Sequence, residues 1–379
     1  MAAGPFPFHD PVGPHADATG RDLVVVGEIL VPTAASTDRQ GLHRATLDRL
    51  SDAGLLGSPL EPPADQRDLA EVIAGCDATT WFCWVQHQSP LRTLEFATPG
   101  PDSPGVEDLK STLLPGLRSG RRLAAVAFAH LRRLGPANPI ATRVSGGWRL
   151  TGALDWVTSW DLADVVMVMA QGADADANSI VSAFLPAGGS GIQVAGLVPG
   201  PPLELLSMSG THTRPLVLED VFVPDGSVAA VHDRVAWLAA DTVSSANANP
   251  AAFGVARGAI AELDAVSIDR SDERLGDLAA ALGEECRVIR QRAYALVDSP
   301  EGDIPERLAL RAASLDLVSR ATTSVIVARA GSAMRSGSDA ERRVREGMFL
   351  QVQAQTSATR AASVGRLAAR SQHALTELG

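Results

Sequence analysis

Three kinds of apolar spacing follow one another along this chain. Near the amino end, "TDRQGLHRATLDRLSDAGLLGSPL" places Leu42, Leu47 and Leu50 on one side of a helix. Thr37 or Asp38 can cap that helix and Gly54 can end it. Before it, residues 1–36 read as irregular, with one short strand at Leu23–Val31. "DLAEVIAGCDATTWFCWVQHQSPL" reads as two further helices, the second more apolar and ending near Pro90. "VEDLKSTLLPGLRSGRRLAAVAFAH" reads as a third, running into a strand.

From about residue 122 the period shortens. Six candidate strands stand at Leu123–Ala129, Trp148–Asp155, Val165–Ala170, Ile180–Pro186, Ile192–Val198 and Leu216–Val223. "GADADAN", "PAGGSG" and "PDG" supply turns between them. Strands this short and close predict a small barrel or sandwich. After Pro224 the helical period returns in four long segments, at about 234–268, 273–298, 305–334 and 340–370. Leu308, Ala312, Leu315, Val318 and Val325 mark one apolar face, and Pro305 suits a first helical turn. The reading is an α+β protein with a mostly helical domain over 1–121, a central β-domain over 122–230 and a four-helix bundle over 231–379.

At 379 residues the chain is long for one core, in keeping with several subdomains. Its net charge of −11 argues against nucleic-acid binding and against an anionic membrane surface. No apolar run approaches the ~20 residues of a membrane helix, and the first twenty residues lack an apolar signal core. Cys76, Cys83 and Cys286 have no zinc spacing and read as free buried thiols. The expectation is a soluble cytoplasmic protein. The eight histidines show no metal-ligand spacing, and no metal is expected. There is no phosphate-binding loop, dinucleotide fingerprint or nucleophile elbow.

Two stretches carry chemistry. "GGWRLTGALDWVTSWDLADVVMVMA" sets a Trp-Val-Thr-Ser turn between two apolar strands. "MSGTHTRPLVLEDVFVPDG" follows at the end of the β-region. In this order, between helical regions, they resemble the acyl-CoA dehydrogenase superfamily over residues 37–370. The first is similar to that family's Trp-Ile-Thr-Ser/Asn turn, where Trp and Thr lie against the flavin ring. The second is similar to its Met-x-Gly run into Asp-Val-x-Val-Pro, matched by Met208, Gly210, Asp220, Val221, Val223 and Pro224. The resemblance implies a flavin, FAD or FMN, held by Trp156, Val157, Thr158 and Ser159, with Phe128 and Ala129 beside them. It also implies a homodimer or homotetramer and a small-molecule substrate, acyl-CoA or aromatic, with an electron-transfer partner or a flavin reductase. A flavin needs a flat apolar wall and a few hydrogen-bond donors near N5 and O4, where its reduced form gains electron density, and a Trp with a Thr hydroxyl supplies both. The competing reading of the same residues is a hairpin with a buried Trp and a turn-capping Thr.

The family's chemistry is less well matched. Acyl-CoA dehydrogenases use a carboxylate base to take an α-proton. Ala354 stands where most members have that Glu. The alternative place, on the first bundle helix, has no carboxylate between Asp241 and Glu262. The loop that contacts flavin and substrate is replaced by "AFAHLRRLGPANP", with Ala129 and His130 in its Thr-Glu places. "ARAGSAMRSGSDAERRVREGMF" is instead similar to the flavin-dependent monooxygenases of the same fold, which need no such base; their last-helix His is Gln353 here. His130 is a candidate acid or base, and His87, His130 and His212 are candidates for the substrate pocket, with a satisfied core or interface residue as the competing reading of His87 and His212. Arg342, Arg343 and Arg345 read either as contacts to a neighbour's flavin phosphate or as an exposed helix start. The leading function is an acyl-thioester dehydrogenase with a relocated or absent base; the alternatives are a reduced-flavin monooxygenase and an inactive partner of an active paralogue.

Overall fold

A computed structural model describes residues 24–57, 63–133, 135–299 and 302–378. The irregular reading of the first twenty residues lies outside them. Helices α1 (24–30), α2 (Ala34–Gln40), α3 (Arg44–Asp52), α4 (Pro63–Cys76), α5 (Ala78–Phe96) and α6 (Val106–Arg118) come first. The expected strand at Leu23–Val31 is therefore corrected to a helix. Its buried residues, Val26, Ile29 and Leu30, recur at three and four rather than at two. The single capped helix expected from Thr37 or Asp38 is also corrected. Both residues lie inside α2, and Gly41, with φ of 96°, breaks the chain before α3.

The central region holds eight strands: β1 (Ala124–Ala127), β2 (Ile140–Val144), β3 (Gly147–Val157), β4 (Val165–Gly172), β5 (Ser179–Pro186), β6 (Leu197–Pro199), β7 (Arg214–Pro224) and β8 (Val228–Asp233). They form one sheet in the order β6-β7-β3-β2-β4-β5-β8, with β1 also on β4. One edge of β4 pairs with β1 at Val165–Val168 and with β2 at Gln171–Gly172. Alternate residues face two cores. Ala125, Val166 and Val168 join the main core, while Val126, Met167 and Met169 pack with Leu91, Leu94 and Leu117 of α5 and α6.

The four expected helical segments resolve into six helices. These are α7 (Arg234–Ala246), α8 (Pro250–Arg270), α9 (Glu273–Asp298), α10 (Ile304–Arg329), α11 (Asp339–Leu350) and α12 (Ser357–Leu378). The first segment breaks at Asn247–Asn249. There Asn249 caps α8 by accepting from Ala251 N, and Pro250 takes the first helical position. The last segment breaks at Gln351–Thr356, where Ala354 adopts a left-handed φ of 51°.

Arg342, Arg343 and Arg345 turn inward, which corrects both readings of this cluster. Arg342 is 3% exposed and bonds Glu346 at 2.5 Å and Asp339 at 3.2 Å. Arg343 reaches Glu262 and Gly75 O, and Arg345 binds Asp38 of α2 through both nitrogens. Glu346 Oε1 accepts from Ala78 N at the start of α5, and Asp77 caps that helix through Thr79 N and Thr80 N. Burial raises the pKa of both Glu346 and Asp77, with Arg342 the largest opposing influence on each. Burial also works against the Arg342 charge. Glu346 and Asp77 outweigh it and hold the guanidinium above its ordinary range. The cluster clasps the bundle to the amino-terminal helices.

Candidate functional site

Trp156 should point into the core. On β3 it shares the face of Trp148, Leu150 and Leu154, all buried. It is instead 53% exposed. The ladder explains why: Leu154 pairs with Leu216 and Val157 with Arg214, so β3 carries one more residue than β7 across that interval. This bulge exchanges the two faces. Val157 becomes buried and the indole of Trp156 is turned out. The reading of a hairpin with a buried Trp is thereby overturned.

The turn beyond is rigid. Ser159 sits at φ of 64°. Its N–H donates to Thr211 O at 2.9 Å, and Trp160 N donates to His212 O at 3.1 Å. Thr158 is 4% exposed, with its hydroxyl 3.2 Å from that of Thr213. His212 donates from Nε2 to Leu42 O at 2.9 Å, which ties this turn to the amino-terminal helices. That bond uses one nitrogen of the candidate pocket histidine.

Phe128 and Ala129 reach the same neighbourhood. The segment 129–132 is a short 3-10 turn after β1, and Arg133 bonds Asp155, next to Trp156, at 2.5 Å. Phe128 packs edge-on against Trp237 of α7, and Arg132 makes a two-pronged bond to Asp241 of the same helix at 2.7 and 2.8 Å. Ala129 is exposed and Phe128 half-buried. His130 turns away from solvent, with Nε2 2.6 Å from Met169 O, and burial pushes it down to about 4. It is thus neutral near pH 7, and one nitrogen is committed to the sheet.

His87 does not line a cavity. It is 1% exposed and donates from Nε2 to Leu117 O, while its Nδ1 accepts from Ala124 N. Both nitrogens serve to join α5, α6 and β1. Burial holds its pKa at about 4, below the ordinary 6.5. In the unfolded chain His87 and His130 protonate near their ordinary value. Stability is therefore complete above pH ~6.5 and falls as pH drops toward about 4, by at most about 1.4 kcal/mol per pH unit for each group. Urea unfolding at about pH 7 and about pH 4.5 should show this loss, and His87→Gln should shrink it.

The two helix breaks face each other. Asn249 Nδ2 donates to Gln353 Oε1 at 2.9 Å. Arg311, buried in α10, spans both breaks, donating to Ser245 O and Asn247 O on one side and Gln353 O on the other. Burial, then the nearby charge of Arg132, pushes Arg311 down to about 10. The alternative positions for a base are thus brought together, and they present Asn249, Gln353 and Ala354. Asp241 is the carboxylate bonded to Arg132 nearby. Asn249 and Arg311 were not anticipated. The Asn-Pro step was the available signal for the first, while Arg311 is hidden in an apolar run. A separate groove of about 1000 Å³ lies between α9, α10 and α12, lined in part by Ala309, Ala312, Ala361 and Arg370, and it includes none of the expected flavin residues.

No family model matches the sequence. Over 127 residues it is 32% identical to a probable acyl-CoA dehydrogenase of Bacillus subtilis (strain 168), covering 32% of this chain and 20% of that protein. The match thus spans a fifth of that relative's length. Butyryl-CoA dehydrogenase from Megasphaera elsdenii superposes with a TM-score of 0.75 at 19% identity, over 93% of this chain and 98% of that one. The fold is that of the acyl-CoA dehydrogenases. Within this fold the chain also resembles KijD3, solved with FMN and dTDP-3-amino-2,3,6-trideoxy-4-keto-3-methyl-D-glucose. That TM-score is 0.69 at 20% identity, over 98% of this chain and 97% of the other. Like these acyl-CoA dehydrogenase-fold proteins, the chain sets its β-domain between two helical regions. Among the described residues no helix is long and apolar enough to cross a membrane.

Proposed function

We propose that this chain is a flavin-dependent oxidoreductase. Trp156, Val157, Thr158 and Ser159 hold the ring, FAD or FMN, and Phe128 and Ala129 complete the wall. The observation that carries this is the bulge, which takes the indole of Trp156 out of a packed strand and stands it beside the 128–133 turn. An indole left this exposed on a rigid turn is a surface in want of a flat partner. The bound flavin would supply electron transfer. The protein's own groups stack on it, offer a hydroxyl at its edge and keep the neighbouring charges paired.

The reaction favoured is reduced-flavin monooxygenation of a small substrate, with a separate flavin reductase. The facing helix breaks offer amides rather than a carboxylate, and Asp241 is occupied by Arg132. Such a site suits chemistry that needs no α-proton base. The second reading is dehydrogenation of an acyl thioester, favoured by the segmental likeness to acyl-CoA dehydrogenases. Exposed Val364 and Leu367 on α12, beside the bundle groove, support association of copies of this chain.

The absorbance spectrum of freshly purified protein, with and without added FAD and FMN, is the first test. A yellow protein bleached anaerobically by an acyl-CoA supports the second reading. Hydroxylation that needs a reductase and oxygen supports the first. Failure to bind any flavin overturns both, and tight pairing with a homologue would then indicate an inactive partner. Ala354→Glu sharpens the choice. The backbone there is already left-handed with a side chain in place, so folding should change by less than about 1 kcal/mol. On the favoured reading the variant stays unbleached by acyl-CoA, whereas rapid bleaching would mean that only the base was missing.

A further inference from the structure

We propose that α7 is a strap held shut by the Arg132–Asp241 pair, and that its local opening uncovers Phe128 and the turn beside Trp156. Its role in admitting a ligand rests on the flavin reading above; the opening itself does not. α7 touches the protein along one narrow face. Arg234, Trp237, Leu238 and Asp241 stand at i, i+3, i+4 and i+7, and all four are only half-buried. Val235, Ala236, Ala239, Ala240 and Val243 on its other faces are exposed, and its buried residues, Ser245 and Ala246, come only in the last turn. A helix of 13 residues is marginal by itself in water, and apolar burial does little to hold this one.

Both ends of α7 are fixed, so it opens by local unfolding between them rather than by swinging aside. At the start, Arg234 N donates to Asn178 O, and Asn178 Nδ2 donates to Asp233 Oδ2. At the end, Arg311 holds Ser245 O and Asn247 O. Between these anchors two contacts dock the helix: Trp237 meets Phe128 edge-on, and Asp241 accepts both prongs of Arg132. The ion pair is shielded, at 15% and 12% exposure, which makes it a stronger tie than a surface pair. Both contacts converge on Phe128, whose ring also has the Arg132 guanidinium over it, 5.0 Å from the centroid. Release of α7 therefore strips the cover from Phe128 and from the turn that Arg133 ties to Asp155, next to Trp156. It also leaves Arg132 without its counter-charge near the buried cation Arg311, a repulsion that favours closing again.

Hydrogen–deuterium exchange of the full-length protein, read by mass spectrometry at about pH 7, tests the strap. Amides of residues 237–244 should exchange at least about a hundredfold faster than those of residues 252–259, the buried part of α8. Arg132→Gln should speed exchange in 237–244 by about tenfold more, the worth of a charge-assisted hydrogen bond, and leave α8 as it was. Asp241→Asn, close in shape, should act in the same direction and decides the matter should Arg132→Gln fail to fold. Arg287→Gln, which breaks an exposed pair with Glu284, should leave 237–244 unmoved. FMN or FAD at about ten times its Kd should slow exchange in 237–244 by about tenfold, because the ring packs on the wall that the closed strap supports. Exchange in 237–244 as slow as in α8, or unmoved by the latch variants, overturns the strap. A flavin that binds without slowing exchange there overturns the place of α7 over the site. A protein that binds neither flavin sinks the flavin reading, and exchange of the free protein and its variants still decides the strap.

Discussion

Arg342→Met is expected to lower the free energy of unfolding by about 3–5 kcal/mol. The guanidinium bonds Glu346 at 2.5 Å and neighbours the buried Asp77. Without it, two carboxylates remain in a site that water does not reach, with Arg343 as the next cation. They must either stay charged and uncompensated or take up protons near neutral pH, and each course destabilises the fold. The Arg342→Met/Glu346→Leu pair should recover much of the loss, because it removes a charge of each sign and leaves apolar groups that can pack. Urea unfolding of the two single variants and the pair measures the coupling. A double variant no better than Arg342→Met alone would show that packing of the arginine stem, rather than charge, is what matters.

Trp156→Ala is expected to weaken flavin binding by about 2–3 kcal/mol, roughly 30- to 150-fold, as for a buried aromatic anchor at a binding surface. Its cost to folding should be small, under about 0.5 kcal/mol, since the indole is already largely outside the core. This separation makes the variant informative: affinity falls while the unfolding midpoint stays. Trp156→Phe should retain part of the affinity through its smaller flat face. Fluorescence titration beside urea unfolding reads both quantities. Unchanged affinity in Trp156→Ala would remove the indole from the site.

The succession of helices, strands and helices was legible from residue spacing, because periods of 3.6 and 2 are local properties. So was the Trp-Val-Thr-Ser turn, a short motif between two strands. The outward turn of Trp156 was not, because period 2 predicts the opposite. It depends on a bulge set by the pairing of β3 with β7. His87, beside Gln86 and Gln88, reads from sequence either as cavity lining or as a satisfied core residue, and its two partners, from α6 and the start of β1, decide for the core.

The arginines show the division most clearly. A basic helix start says nothing about which way it faces. Arg345 turns inward because Asp38 waits 307 residues earlier in the chain, and Arg311 bonds carbonyls at two helix breaks far apart in sequence. The sequence by itself determined the order of elements and the Trp-Val-Thr-Ser motif, since neighbouring residues suffice for both. Only the tertiary structure decided which polar groups are paired and which side chains are turned out. Those depend on partners that come together only when distant segments pack.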